Sequence, residues 1–394
     1  MEQYLLARSK SIFEKDFFLY KQNIIKKVKK STIMVVGGAG SIGSAVVKLL
    51  VKLQTKKILI VDISENNLVE IIRDIRSSNM KIISELQTFS LDCGSTEFEK
   101  MFINQKNIKY LFNFSALKHV RSERDIYTLK RLVDSNIINS VKLFNLAEKK
   151  KCKKYFCVST DKATNPINMM GASKLLMEKA LFSRKMKVKV STARFANVLF
   201  SDGSLLYGFE KRLLKKQPLA VPTDIRRFFV TPIEAAQLCI ISCFIGRNKE
   251  IFFPKTSKRF ADVSLLEISK SYLKLKGFRP AVFKNEEAAR RSIIKLIKNR
   301  QWPCFYFETD TSGEKKSEEF YTEDENVKLN VFQSIGVVKI GKGYEEFDWN
   351  EFISIYEKFK NSSKWEKAGL ISIFKKYLKN FNHKETNKNL DQKM

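Results

Sequence analysis

The sequence predicts an α/β protein: a doubly wound parallel sheet followed by a smaller C-terminal α+β lobe. Three observations predict it. Short β-branched runs alternate with longer helical stretches between residues 33 and 160. A glycine-rich turn joins the first of these runs to the first helix after it. Beyond residue 246 the pattern turns mixed, punctuated by Pro254, Pro280 and Pro303.

Taken in order, residues 1–30 are polar and basic, with Leu5, Ile12, Phe13, Phe17, Tyr20, Ile24 and Val28 at loose helical spacing. They are expected to form a helical extension that packs on the body or on a neighbouring subunit. Strands are expected over Ile33–Val36, Ile58–Val61, Leu86–Leu91, Lys109–Phe114 and Lys154–Ser159, with a further one over Val190–Arg194. Strands separated by helices imply βαβ units, hence a parallel sheet covered on both faces. This domain is expected to span 31–245. The smaller lobe and the C-terminal helices follow over 246–381, with helix from Glu346 to Phe381 broken at Asn361–Ser363. The polar residues 382–394 are expected to be disordered.

Composition narrows the class. With 394 residues, 44% of them hydrophobic, the chain can bury a full core despite 29% charged residues, so it does not read as disordered. The longest apolar run, Leu238–Ile245, is far short of the roughly 18 residues a membrane span needs. The opening MEQYLLARSK carries an early acid and no apolar block, so no secretory signal is expected. Six scattered cysteines without a CxxC pair, and two histidines, His119 and His383, argue against a zinc site and a disulfide framework. A cytoplasmic protein with reduced thiols and no metal is the expectation. The net charge of +31 suggests an anionic partner: nucleic acid, a phosphate-bearing metabolite or a membrane surface. Lysine far outnumbers arginine and is spread along the chain, and no nucleic-acid-binding motif is visible. A phosphorylated substrate is therefore expected, and no nucleic acid.

Residues 33–50 read IMVVGGAGSIGSAVVKLL, a buried strand followed by Gly37, Gly40 and Gly43 and then a helix-compatible run. Such glycines allow a tight turn, close approach of backbone to a pyrophosphate, and close helix–strand packing. With Ser41 and Ile42 they open a helix whose N-terminus faces the phosphates. This is a Rossmann-like dinucleotide loop. Asp62 ends the second strand, where a carboxylate meets the adenosine ribose hydroxyls and repels a 2′-phosphate, so NAD is expected rather than NADP. In SLDCGS, Asp92 is placed to receive the adenine amino group, with Cys93 beside it.

Ser159 and Thr160 end a strand at the carboxyl edge of the sheet, where ligands of open α/β folds sit. Asp161 and Lys162 follow at once, so an acid and a potential base enter one crevice. Lys174, on the next helix, is spaced to reach a cofactor ribose. The segment CVSTDKATNPINMMGASKLLMEKAL resembles the signature of nucleotide-sugar 4,6-dehydratases of the extended short-chain dehydrogenase/reductase superfamily. The group it resembles most is the UDP-N-acetylglucosamine 4,6-dehydratases of capsule, O-antigen and sialic-acid-like sugar synthesis. FNFSALKHVRSERD at 112–125, SNIINS at 135–140, RFANVLFSDGS at 194–204, RRFFVTPIEAA at 226–236 and SGEKKSEEF at 312–320 follow in the family's order.

The resemblance implies a UDP-sugar substrate and a reaction in which hydride leaves sugar C4, water departs across C5–C6, and hydride returns to C6. Asp161 would protonate the departing C6 hydroxyl, Lys162 would take the C5 proton, and Thr160 would hydrogen-bond the C4 oxygen. Short-chain dehydrogenases carry tyrosine four residues before the lysine; here Met170 stands there, and a thioether takes no proton. Thr160 with Lys174, or a water relay, is the expected substitute. Ser115, Ala116 and Lys118 would line the cofactor, and Asn136 would support the active-site lysine through water. Lys118, Asn168, Arg194, Asn197, Ser204, Arg227 and Lys255 would contact the sugar or its diphosphate. Thr311 and Ser312 replace the family's arginine–proline before Gly313-Glu314-Lys315, which removes one diphosphate clamp. A nucleotide-sugar C4 epimerase or reductase, and a catalytically silent NAD-binding protein, are the competing readings. A homo-oligomer is expected.

Overall fold

The computed structural model describes residues 1–256, 262–309 and 318–383. In chain order the strands are β1 (Thr32–Val36), β2 (Lys57–Asp62), β3 (Glu85–Ser90), β4 (Ile108–Asn113), β5 (Lys154–Thr160), β6 (Lys189–Phe195), β7 (Asn197–Val198) and β8 (Leu219–Pro222). They continue as β9 (Arg226–Arg227), β10 (Phe229–Val230), β11 (Glu250–Pro254), β12 (Val263–Ser264), β13 (Arg279–Phe283), β14 (Gln301–Phe307), β15 (Asn326–Lys328) and β16 (Ile335–Lys339). The main sheet runs β15-β16-β11-β6-β5-β4-β1-β2-β3. Its neighbours are parallel from β3 to β11; β16 and β15 then add as antiparallel strands at the far edge. The order turns back between β1 and β4, which opens a crevice at the carboxyl ends of the strands.

The central strands are apolar almost throughout because helices cover both faces. Ile33, Val35, Ile58, Ile60, Leu111 and Phe156 are fully buried. The helix Pro232–Phe244 starts on a Thr231–Glu234 capping box with proline in its first turn, a sharply specified start. It packs against the helices Ser41–Lys52 and Glu14–Val28. The N-terminal extension thus lies on the body of its own chain: Phe13, Phe17, Ile24 and Val28 are buried in the main core.

The expected division at residue 245 is not where the packing divides. β11, β15 and β16 belong to the main sheet, and the helices Trp349–Lys360 and Lys367–Tyr377 bury Phe352, Tyr356, Leu370 and Phe374 in its core. The smaller core instead gathers Leu206 and Phe209 with Val221, Tyr272, Leu273 and Trp302 around the parallel sheet β13-β14-β8. Burial of apolar area is non-directional, so segments distant in sequence share one core wherever they meet. Of residues 382–394, expected to be disordered, Asn382 and His383 are described, with His383 3.1 Å from Glu123, and 384–394 lie outside the described residues.

Candidate active site

The glycine loop forms a cradle. Gly37 adopts φ +70°, and a Cβ there would lie 2.7 Å from the Ser115 nitrogen. A Cβ on Gly43 would lie 2.0 Å from the Gly37 oxygen, so only glycine lets the helix start this close to the turn. Gly40 is the N-cap and Ser41 the first residue of the helix Ser41–Lys52, which carries the positive end of its dipole into the crevice. Ile42, in the same turn, packs on the core. Asp62 accepts from the Ala39 nitrogen at 3.0 Å and the Ser64 nitrogen at 3.0 Å, which fixes its carboxylate at the end of β2. Exposed Asp92 accepts from the Gly94 nitrogen at 2.8 Å. Cys93 is buried, its Sγ 3.3 Å from the Ser115 Oγ, and burial pushes its thiol up to about 11, so it packs and does not react. Ser115 is held by Asn113 through both its nitrogen and its hydroxyl, which places Ala116 and Lys118 beside the loop. These residues fit a dinucleotide.

One acid stands at the same helix start. The Ser41 hydroxyl donates to Asp202 at 2.9 Å, and the Asp202 nitrogen donates back to Ser41 at 2.9 Å. Asp202 also faces Lys118, and a Cβ on Gly203 would meet the His119 ring at 2.7 Å. The 199–204 segment therefore folds over the glycine-loop end of the crevice.

β5 ends in the chemistry-bearing group. Thr160 donates to Asp161 Oδ1 at 2.8 Å, and Lys162 Nζ lies 3.3 Å from the same oxygen. Asp161 is 3% exposed, whereas the Lys162 side chain keeps 31% of its surface open. A Cβ on Gly171 would lie 2.2 Å from the Lys162 carbonyl, so this glycine lets the helix Met169–Phe182 press against the pair. Ser159 Oγ is buried with no hydrogen-bond partner among the described residues.

Met170 is buried, and its nitrogen donates to Glu123 Oε1 at 2.9 Å; Glu123 Oε2 meets His383 at 3.1 Å. Lys174 Nζ donates to the Val158 carbonyl at 3.0 Å, and burial lowers its pKa. Asn136 makes no direct hydrogen bond to Lys174. Its amide brackets Leu117 and donates to the Ser173 hydroxyl at 2.9 Å, joining the Lys118 loop to the Met169–Phe182 helix.

On the substrate side the structure separates the expected residues. Asn197 and Arg227 reach the crevice; Asn197 bonds Glu318, and Arg227 faces the same carboxyl. Asn168 and Ser204 cap helices, accepting from the Gly171 nitrogen at 2.8 Å and the Tyr207 nitrogen at 3.3 Å. Arg194 is not a substrate contact. It is fully buried and bonds Glu178, Glu325, Tyr344 and the Phe320 carbonyl, so no donor is left to offer. Lys255 is not one either: its ammonium is taken up by the carbonyls of Leu329, Phe332 and Gln333 at the rim of β16. Residues 311–315, where the clamp arginine is replaced, lie outside the described residues.

Glu318 is the site residue that sequence reasoning missed. It bonds Asn197 and accepts from the Phe228 nitrogen at 2.6 Å. Burial, and then the Asp161 carboxylate, push it up to about 8. Its only sequence signal is its place in SGEKKSEEF, a charged run that reads as surface.

Comparison with known proteins fits this geometry. The model of a family described as "Polysaccharide biosynthesis protein" matches residues 33–340. The chain belongs to that family. A protein of Methanocaldococcus jannaschii named an uncharacterized membrane protein is 31% identical over 80% of this chain and 88% of its own length. The capsular polysaccharide biosynthesis protein CapD of Staphylococcus aureus is 26% identical over 64% of this chain, which spans only 42% of that relative. Among solved structures, Pen from Bacillus thuringiensis aligns with TM-score 0.63 at 22% identity, covering 79% of this chain and 88% of Pen. A dTDP-glucose 4,6-dehydratase of Streptomyces venezuelae, solved with NAD, aligns with TM-score 0.54 at 16% identity, covering 73% and 88%. At these identities the structures establish the family's Rossmann-like fold. Among the described residues no helix is long and apolar enough to cross a membrane.

Proposed function

We propose that this member of the family is an NAD-dependent nucleotide-sugar 4,6-dehydratase acting on UDP-N-acetylglucosamine. The observation that carries the reading is the continuous Thr160–Asp161–Lys162 contact at the end of β5, an elimination pair with a hydroxyl relay attached. The glycine cradle and Asp62 would hold NAD, which when bound accepts hydride from sugar C4 and gives it back at C6.

The rest falls to the chain's own residues. With the C4 oxygen against Thr160, the C4 hydroxyl proton passes through Oγ1 to Asp161, 2.8 Å away, and the absence of a tyrosine at Met170 is met. Asp161 is then the acid that C6 needs, and its proton leaves with the C6 hydroxyl as water. Lys162, as the base, takes the C5 proton, which the C4 ketone acidifies, and returns a proton to C5 once C6 is reduced. Asp161 and Lys162 each end in the protonation state in which they began. Glu318, held near Asp161 with its proton on, adds no second negative charge to this space.

The test is to incubate the protein with NAD and UDP-N-acetylglucosamine and weigh the product. A sugar nucleotide lighter by one water, with a 4-keto group, is expected. An isomer of unchanged mass would instead make the protein a C4 epimerase.

A further inference from the structure

The small lobe carries a feature that the catalytic reading does not use. β8, β13 and β14 are parallel, so their starts lie at one end of the lobe. The C-termini of the helices Leu205–Leu214, Leu265–Leu275 and Glu286–Lys298 lead into those starts through short loops and so share that end. Direct contacts join the three loops. The Trp302 indole donates to the Gln217 carbonyl at 3.0 Å, the Arg279 nitrogen to the Arg300 carbonyl at 2.9 Å, and Lys276 lies 3.8 Å from Glu210.

Segments 211–219, 274–279 and 295–301 hold ten Lys and Arg and no Asp or Glu. Cations suit helix C-termini, but a few would suffice for that. Leu214 and Leu275, the last residues of their helices, stand 79% and 39% exposed among these charges. The crevice is at the other end of the same strands: β8 and β14 end at Pro222 and Phe307, on the side that leads to Asp224 and Thr309.

We propose that this end of the small lobe docks on an anionic lipid bilayer, with the lysines over the headgroups and Leu214 and Leu275 entering the interface. Charge complementarity identifies the partner, and the leucines favour a bilayer over nucleic acid. The rim is mostly lysine, a point charge without a fork, and its three segments hold no exposed aromatic side chain on which a base would stack. Docked in this way, the protein keeps its crevice facing the solution.

The test is co-sedimentation of the full chain with vesicles of phosphatidylcholine alone, or with about a third phosphatidylglycerol. Binding to the anionic vesicles only, weakening as salt rises, is expected. Each cation near such a surface strengthens partition about fivefold, so neutralising Lys215, Lys216, Lys274 and Lys298 to Gln should weaken it several hundredfold, about 600-fold. The same change at Lys52, Lys106, Lys358 and Lys364, exposed elsewhere, should cost less than about tenfold. Leu214→Ser with Leu275→Ser should weaken partition several-fold with the charge intact. Equal losses from the two lysine sets would overturn the proposal. So would tight binding of an RNA duplex that depends on the patch lysines and ignores the leucines. Unchanged far-ultraviolet circular dichroism in each variant separates these outcomes from misfolding.

Discussion

Two contacts between a carboxylate and a basic side chain lie within a few residues of the ends of adjacent strands, and they differ in kind. Arg194, on β6, gives every guanidinium nitrogen to the protein and is sealed from solvent. Lys162, just past β5, has one acidic partner at 3.3 Å and keeps part of its surface open to the crevice. The first pair ties the Met169–Phe182 helix to the segment around Glu325 and Tyr344. The second is left unsaturated at the crevice, where the proposed substrate would arrive. Charge alone does not tell the two pairs apart; the number of unused donors does.

The comparison breaks most readily at Arg194. Arg194→Met leaves Glu178 and Glu325 without their cation, and a buried pair broken on one side costs about 3–5 kcal/mol. Chemical denaturation should show this as a large fall in midpoint. Asp161→Asn and Lys162→Ala should behave inversely, with turnover down about 10²–10⁴-fold and thermal stability close to the parent. If Lys162→Ala unfolded the protein as Arg194→Met does, the contrast between the pairs would be lost.

Glu318 sharpens it further. Its folded pKa, about 8, stands above the ordinary 4.5, so between these values the folded chain holds a proton that the unfolded chain has released. Its contribution to stability is full below about pH 4.5 and is lost as pH rises through about 8. Melting temperatures measured across that window should fall less in Glu318→Gln than in the parent. The smallest effect is expected at Asp202, the carboxylate beside the helix start that would receive the NAD pyrophosphate. Asp202→Asn should tighten NAD binding about two- to fivefold by calorimetry.

Much of this was legible in the sequence. β1 to β6 fall within two residues of the runs that predicted them; β1, β2 and β4 were the plainest, because a strand buried on both faces is apolar almost throughout. The cradle was legible too, since Gly37 and Gly43 sit where no side chain fits. The small lobe was not, because its core joins segments as far apart as Leu5 and Cys304. Arg194 was misread for the same reason: Glu325 is 131 residues away, and nothing local announces it. Glu318 owes its raised pKa to burial among groups from other elements, which a charged run conceals.

The central claim is that Lys162 moves the C5 proton after Asp161 is armed through Thr160. Turnover of UDP-N-acetylglucosamine in deuterated water, read by NMR, tests it most directly. The parent protein should give a 4-keto-6-deoxy product with solvent deuterium at C5, and Lys162→Ala should give none. A product with C5 unlabelled, or a Lys162→Ala variant that labels C5 at the parent rate, would contradict it.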